Sequence, residues 1–557
     1  MYKQIKKTVI KVFALGMLLF GVNSCETMEL EILDNPNALA PGTADVDFYL
    51  NNIQVDLATY FEAITEEGME VTRILHMFGP LYSNAYQADQ FNIPYSIAYA
   101  DIIADARALR EPAETQELYT HIGISKVIEA YVMLSLVDYF GPVPFTEAID
   151  GVNFSNPNVT PGAEIYAAME TLLDEAIADF EKDEISLPAN DLYYGGDEDK
   201  WIALANTLKL KMYVQTRLVD NSAASKIDAI ISSGDYIDET SEDFEFQYSS
   251  VDANPDSRHP VFADNFDVAA DVADYMSNSY MYYLVFEQPL PDPRTRYYFY
   301  RQQLTMTTNE QEAECINEEP PNHYDLEKYP FCYAGNYDGT TDPTAGYWGR
   351  DHGDNDGIPP DGGKRTTWGV YPVGGQFDAD QGDPVSGRDI GLQGAGISPI
   401  MLASYVDFML AESALTIGVT GEARDYLENG MRKSIKKVMD FSAAAVTDED
   451  FVPSQDNIDA YVSTVLGAYD SASSEEEKLN IIVKQYFIAL FGNGVEAYNT
   501  YRRTCNPQNL QPTLIIPNSG FIRSFLYPNE LVEQNINVDQ KPDHRVAVFW
   551  DTNSCEE

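Results

Sequence analysis

Two stretches of helical periodicity, 45–235 and 400–491, flank a block at 243–396 whose composition opposes helix, and this interruption constrains the fold more than any other feature. Over 121–140, Ile122, Val127, Ala130, Leu134, Val137 and Phe140 recur near helical spacing until Gly141-Pro142 stops the pattern. Thr160-Pro161 supplies a cap and a first-turn proline for a helix through Phe180, with Tyr166, Met169, Leu172, Leu173 and Ile177 apolar. Further helices are predicted over 199–218, around Trp201, Leu204, Leu208, Leu210 and Met212, and over 223–233, which Gly234 ends. They resume at 400–415, 421–441, 455–468 and 474–491, before a proline-rich tail. Helix pairs of modest length predict an all-α, tetratricopeptide-like α-α superhelix, although no period of ~34 residues survives.

The middle block is loaded with Gly, Pro, Asp, Asn and aromatic residues, as in SYMYYLVFEQPLPDPRTRYYFYRQQ. It reads as long irregular loops carried by a scaffold, where a binding surface is most readily built. The chain from 45 to 557 then divides into a helical half (45–242), a loop-rich ligand or partner region (243–396), and a second helical half with a C-terminal tail (397–557). A content of 44% hydrophobic and 12% aromatic residues is ample for a folded core.

The first residues set the compartment. Lys3, Lys6, Lys7 and Lys11 precede an apolar run at 12–22, far shorter than the ~20 residues of a membrane-spanning helix. Cys25 follows Val22-Asn23-Ser24 in the place of a lipobox. Residues 1–24 are expected to be a removable lipoprotein signal, Cys25 the lipidated anchor and 25–44 a tether; two acyl chains on one residue hold a protein where one holds it marginally. Removal of 1–24 takes four lysines and no acid, leaving 31 basic against 89 acidic side chains, a net charge of −58. That excess excludes nucleic acid and other polyanions as partners. The remaining cysteines, Cys315, Cys332, Cys505 and Cys555, are even in number in an oxidising compartment. Of three connectivities, Cys315 with Cys332 and Cys505 with Cys555 is preferred, because the first two flank a proline-rich loop. Closing a loop of that size contributes roughly 3 kcal/mol.

Five blocks, LVDYFGPVPFTEAI (136–149), LYYGGDEDKWIALANTLKLKM (192–212), SYVDFMLAESAL (404–415), KQYFIALFGNGVEAYNTYRRT (484–504) and FLYPNELVEQN (525–535), carry a family resemblance. In this order the chain resembles the SusD/RagB-like outer-membrane lipoproteins over nearly its whole mature length. It is most similar to the branch with an Arg-Asp-His-Gly stretch, here Arg350 to Gly353. Cys505 departs from the glycine common after Arg-Arg-Thr in that family, which strengthens the expected bridge to Cys555. The resemblance implies a lipid-anchored protein of the cell surface, not an enzyme. Such a protein sits as a lid on a SusC-like TonB-dependent transporter and hands it oligosaccharides or oligopeptides. The blocks belong to the scaffold and do not identify the ligand.

Candidate ligand contacts come from the loops. A sugar ring has an apolar C–H face and a hydroxyl rim, so its binder needs flat aromatic platforms flanked by amides, carboxylates and guanidinium groups. Tyr347-Trp348 beside Arg350 and Asp351 meets that need, and Trp368 and Tyr371 offer a second platform. The segment LYSNAYQADQFN adds Tyr82, Asn84, Tyr86 and Gln87. A peptide, held by main-chain hydrogen bonds, would leave little signature. Asp351, Asp354, Asp356 and Asp361 gather hard oxygen ligands suited to Ca²⁺. DHGDNDG lacks the EF-hand spacing, however, and a solvated turn-forming loop is the favoured reading; no other cofactor is expected. The sequence has no serine elbow at GNGVE, no His-Glu-x-x-His and no phosphate loop, and His352 is assigned a structural role. Two rival readings remain at this level: a surface glycosidase or peptidase, and a structural subunit of the transporter that holds no ligand.

Overall fold

The computed structural model describes residues 45–79, 81–183, 185–262, 275–299, 315, 318–332, 349–355, 392–443, 452–515 and 520–555. The leader, Cys25 and the tether lie outside them. The fold is predominantly helical, in agreement with the all-α expectation. Its first half comprises α1 (Val46–Val71), α2 (Ala104–Thr115), α3 (Tyr119–Phe140), α4 (Gly162–Phe180), α5 (Glu198–Thr216) and α6 (Ala223–Ser233). A π-helical turn, Ile97–Ile103, leads into α2. The loop block contributes α7 (Asn278–Val285). The second half comprises α8 (Ala403–Ile417), α9 (Ala423–Ser442), α10 (Gln455–Ser471), α11 (Glu475–Ala489) and α12 (Gly494–Thr504).

The predicted punctuation operates in the structure. Gly141 closes α3 at φ 79°, and Gly234 closes α6 in the left-handed region at φ 76°, conformations that cost glycine little. Ser454 caps α10 by accepting from Asn457 N, and Ser474 caps α11 by accepting from Glu477 N. The start of the fourth-to-last predicted helix is a correction: Ile397–Met401 is a strand, pairing antiparallel with Phe244–Gln247. Its five residues are all buried, so the sequence shows an apolar run without the alternation that marks a half-exposed strand.

α3 is the core helix. It is long and apolar enough to cross a membrane, yet 94% of its apolar window is buried by the rest of the protein. Two of its buried carboxylates are matched from other elements. Glu129 binds Arg107 and Arg110. Asp138 is wholly buried; its Oδ1 accepts from Tyr166 Oη (2.5 Å) and Trp550 Nε1 (2.9 Å), and its Oδ2 from Asn499 Nδ2 (2.8 Å). Lys211 stands 3.4 Å from Asp138 and 3.1 Å from Glu496. One carboxylate thus joins α3, α4, α5, α12 and the C-terminal segment.

The two halves meet where α1 crosses the start of α12. A Cβ on Gly68 would lie 2.2 Å from Gly494 O, and one on Gly494 would lie 1.9 Å from Thr65 O. Glycine at both positions lets backbone touch backbone. Thr65 Oγ1 accepts from Gly494 N at 2.6 Å, and Asn493 donates to the carbonyls of Pro399 and Ile400 at 2.9 and 3.0 Å. Disulfides join Cys315 to Cys332 and Cys505 to Cys555. The second fixes the C-terminal segment to the end of α12, where Asn553 Nδ2 donates to Arg503 O at 2.6 Å.

Candidate functional site

Beyond α1 the chain turns through Arg73, a non-glycine residue at φ 65°. Its guanidinium is fully buried: it donates to Gln511 O (2.7 Å), to Val71 O and to Tyr82 Oη (3.1 Å). Held this way, the following segment meets two others. Leu75 pairs antiparallel with Met276, and Ser277 pairs parallel with Arg350, through His76 N to Tyr275 O (2.9 Å), Arg350 N to Met276 O (3.0 Å) and Asn278 N to Arg350 O (2.9 Å). Gly349 allows this approach, since a Cβ there would be 2.3 Å from Met276 O.

The three segments form a lip. The Arg350 guanidinium lies 4.5 Å from the Tyr275 ring centroid and 5.9 Å from that of Phe78, with Asp354 at 3.7 Å. Phe78 packs edge-on to His76 at 4.5 Å and is 37% exposed. Cation–π contacts and the ion pair hold the guanidinium in place beneath an aromatic ring that faces solvent. Gly79 touches Ala85, with a Cβ there 3.6 Å from Ala85 Cβ, and Ala85 lies in the segment that carries the exposed amides of Asn84 and Gln87. An aromatic face, a guanidinium and amides are the groups a sugar or a peptide backbone requires.

The sequence-predicted contacts divide. Asn84 and Gln87 are exposed. Tyr82 and Tyr86 are buried, which corrects their reading as platforms: Tyr82 braces Arg73, and Tyr86 packs on Phe525 at 5.4 Å. Asp351 is also corrected. It is wholly buried, its Oδ1 accepts from Gln511 Nε2 (2.7 Å) and its Oδ2 from Cys332 N (2.9 Å), so it ties the disulfide loop to the lip instead of facing solvent. Arg350, 8% exposed, is covered by rings and acts mainly through them. Asp354 pairs with Arg350, and among the described residues no group of three metal-binding side chains occurs. Tyr347, Trp348, Asp356, Asp361, Trp368 and Tyr371 lie outside the described residues. Phe78 was missed; its only sequence signal is an aromatic directly before Gly79-Pro80.

Under the lip, burial pushes the Asp351 carboxyl up to about 6. Burial pushes His76 down to about 3 and His352 well below its ordinary range, with the neighbouring arginines adding to both. Among the described residues neither ring nitrogen of His352 has a hydrogen-bond partner. A histidine depressed on folding takes up its proton only when unfolded, so its contribution is present above pH ~6.5 and lost as pH falls below it. Asp351 has the opposite sign, so the effect is read as a difference. The stability of the native protein relative to His352→Gln should fall by roughly 1 kcal/mol per pH unit between pH 6.5 and 5, measured by urea unfolding; a pH-independent difference would contradict the buried neutral imidazole.

A serine, a histidine and a glutamate also converge, without forming a nucleophile. Ser398 Oγ donates to Glu62 at 2.6 Å, and His259 Nε2 lies 3.6 Å from the same carboxylate. Ser398 is fully buried, so no substrate reaches it in this arrangement.

Comparison with known families then decides the lineage. Residues 36–327 match the SusD-like family described as starch-binding and associating with the outer membrane, and residues 393–541 match the family of SusD and RagB outer-membrane lipoproteins. The chain belongs to the SusD-like family. Solved SusD-like structures share its fold. A chitin-binding protein is 17% identical at TM-score 0.64, with 92% of this chain and 100% of that one covered. A SusD homologue from Bacteroides fragilis gives the same values. A chitin-binding SusD homologue from Flavobacterium johnsoniae is 18% identical at TM-score 0.62, covering 91% and 99%. No curated protein matches the sequence.

Proposed function

We propose that this SusD-like chain is a nutrient-capture subunit, anchored at the cell surface through lipidated Cys25. It holds an oligosaccharide at the lip and serves as the lid of a SusC-like TonB-dependent transporter. The observation that carries the reading is the lip itself: an exposed Phe78 ring over the Arg350 guanidinium, with the segment bearing Asn84 and Gln87 in contact at Gly79, on a SusD-like scaffold. The starch-binding description of the family and the chitin-binding names of two relatives support an oligosaccharide over a peptide, which the same groups could also engage. Tyr347, Trp348, Trp368 and Tyr371 are proposed to complete the site. Binding is reversible, and closure of the lid, favoured by the ligand, traps it against the barrel.

Fractionation and co-purification test the assembly. The wild-type chain should be found in the outer membrane and retain a TonB-dependent barrel when solubilised in mild detergent. Cys25→Ala should release the protein from the membrane fraction. Recovery of wild-type protein without any barrel, or unchanged anchoring of the variant, would remove this part of the proposal.

A further inference from the structure

A cleft of about 530 Å³ shares no lining residue with the lip, and its volume is within the range of small-molecule sites. The ends of α8 and α12, the first turn of α11 and the loop carrying Lys328 enclose it. Leu479 and Tyr501 give it an apolar lining, Glu475 and Glu476 line it from α11, and Lys328 lines it from the disulfide-bounded loop.

The charges there are not neutralised internally. Among the described residues, Glu476 accepts from the neutral amide of Gln508 (3.1 Å), and neither Glu475 nor Glu476 forms an ion pair. The Lys328 ammonium rests 5.0 Å from the Tyr329 ring centroid and forms no ion pair among the described residues. All three charged side chains are exposed, so the cleft presents both signs of charge to solvent. Asn506 adds an independent sign. It is 3% exposed, its Nδ2 donates to Thr504 O at 2.7 Å, and its Oδ1 has no donor among the described residues. A buried acceptor left without a partner is costly, and an N–H donor in the cleft would satisfy it.

We propose that this cleft binds a small zwitterion, an amino acid or a dipeptide. Its ammonium sits with Glu475, Glu476 and the Asn506 carbonyl, its carboxylate with Lys328, and its side chain on Leu479 and Tyr501. The site shares no lining residue with the lip, and the proposal does not rest on what the lip holds.

Calorimetric titration of the purified full-length protein with leucine, Leu-Leu and N-acetyl-Leu-Leu-amide tests it. Leu-Leu should bind, and the doubly capped peptide should bind at least roughly tenfold more weakly, since it carries neither charge. Lys328→Met and the double variant Glu475→Gln/Glu476→Gln should each weaken Leu-Leu roughly tenfold while leaving the melting temperature and any oligosaccharide titration unchanged. Failure of both leucine and Leu-Leu to bind the wild type, equal binding of the capped peptide, or wild-type affinity in the variants would overturn the proposal.

Discussion

Asp138→Ala is expected to destabilise the protein by about 3–5 kcal/mol, the loss seen when one partner of a buried charge pair is removed. The substitution leaves Lys211 buried against Glu496 alone and strips the acceptor from Tyr166, Trp550 and Asn499. Four elements and the C-terminal segment lose a shared tie at once, so the unfolding midpoint in denaturant should drop and the aromatic near-ultraviolet signal around Trp550 should change. Asp138→Asn retains a carbonyl acceptor of the same shape and should cost clearly less. Equal losses in the two variants would show that the charge of the carboxylate, not its shape, is what the site requires.

Gly494→Ala is the second large effect. The added methyl meets Thr65 O at 1.9 Å and Met69 N at 2.3 Å, backbone atoms that no rotamer change can move. α12 must then shift off α1, breaking the hydrogen bond from Gly494 N to Thr65 Oγ1, at about 3 kcal/mol or more. Gly467→Ala in α10 is the control: nothing lies within 4 Å of its Cβ, and alanine should gain roughly 0.5–1 kcal/mol through helix propensity. If both variants matched the wild type in equilibrium unfolding, the close approach of α1 and α12 would be wrong.

The sequence revealed those parts of the fold whose residues sort by spacing. α3, α4, α6 and α10 carry apolar stripes or clear stops, and each was placed to within a few residues. α12 was not read as a helix, because GVEAYNTYRRT buries polar side chains: Asn499, Arg502 and Arg503 are 0–2% exposed. Its order comes from partners far along the chain, such as Glu412, which accepts from Arg503 Nε at 2.7 Å. Spacing cannot report such pairings. The same limit explains the site. Tyr82, Tyr86 and Asp351 have the composition of a binding loop, yet their bonds to Arg73, Phe525 and Gln511 turn them inward. Phe78 faces outward because three distant segments converge beneath it. Composition located the right region, and long-range packing decided which side chains reach solvent.

The capture claim is tested most directly by titrating the purified mature protein with neutral starch- and chitin-derived oligosaccharides in a calorimeter, beside Phe78→Ala. The account predicts saturable binding of at least one oligosaccharide, weakened roughly tenfold in the variant by the loss of about 1–1.5 kcal/mol of aromatic contact, with unfolding unchanged. An absence of binding to every oligosaccharide, or equal affinity in wild type and Phe78→Ala, would contradict it.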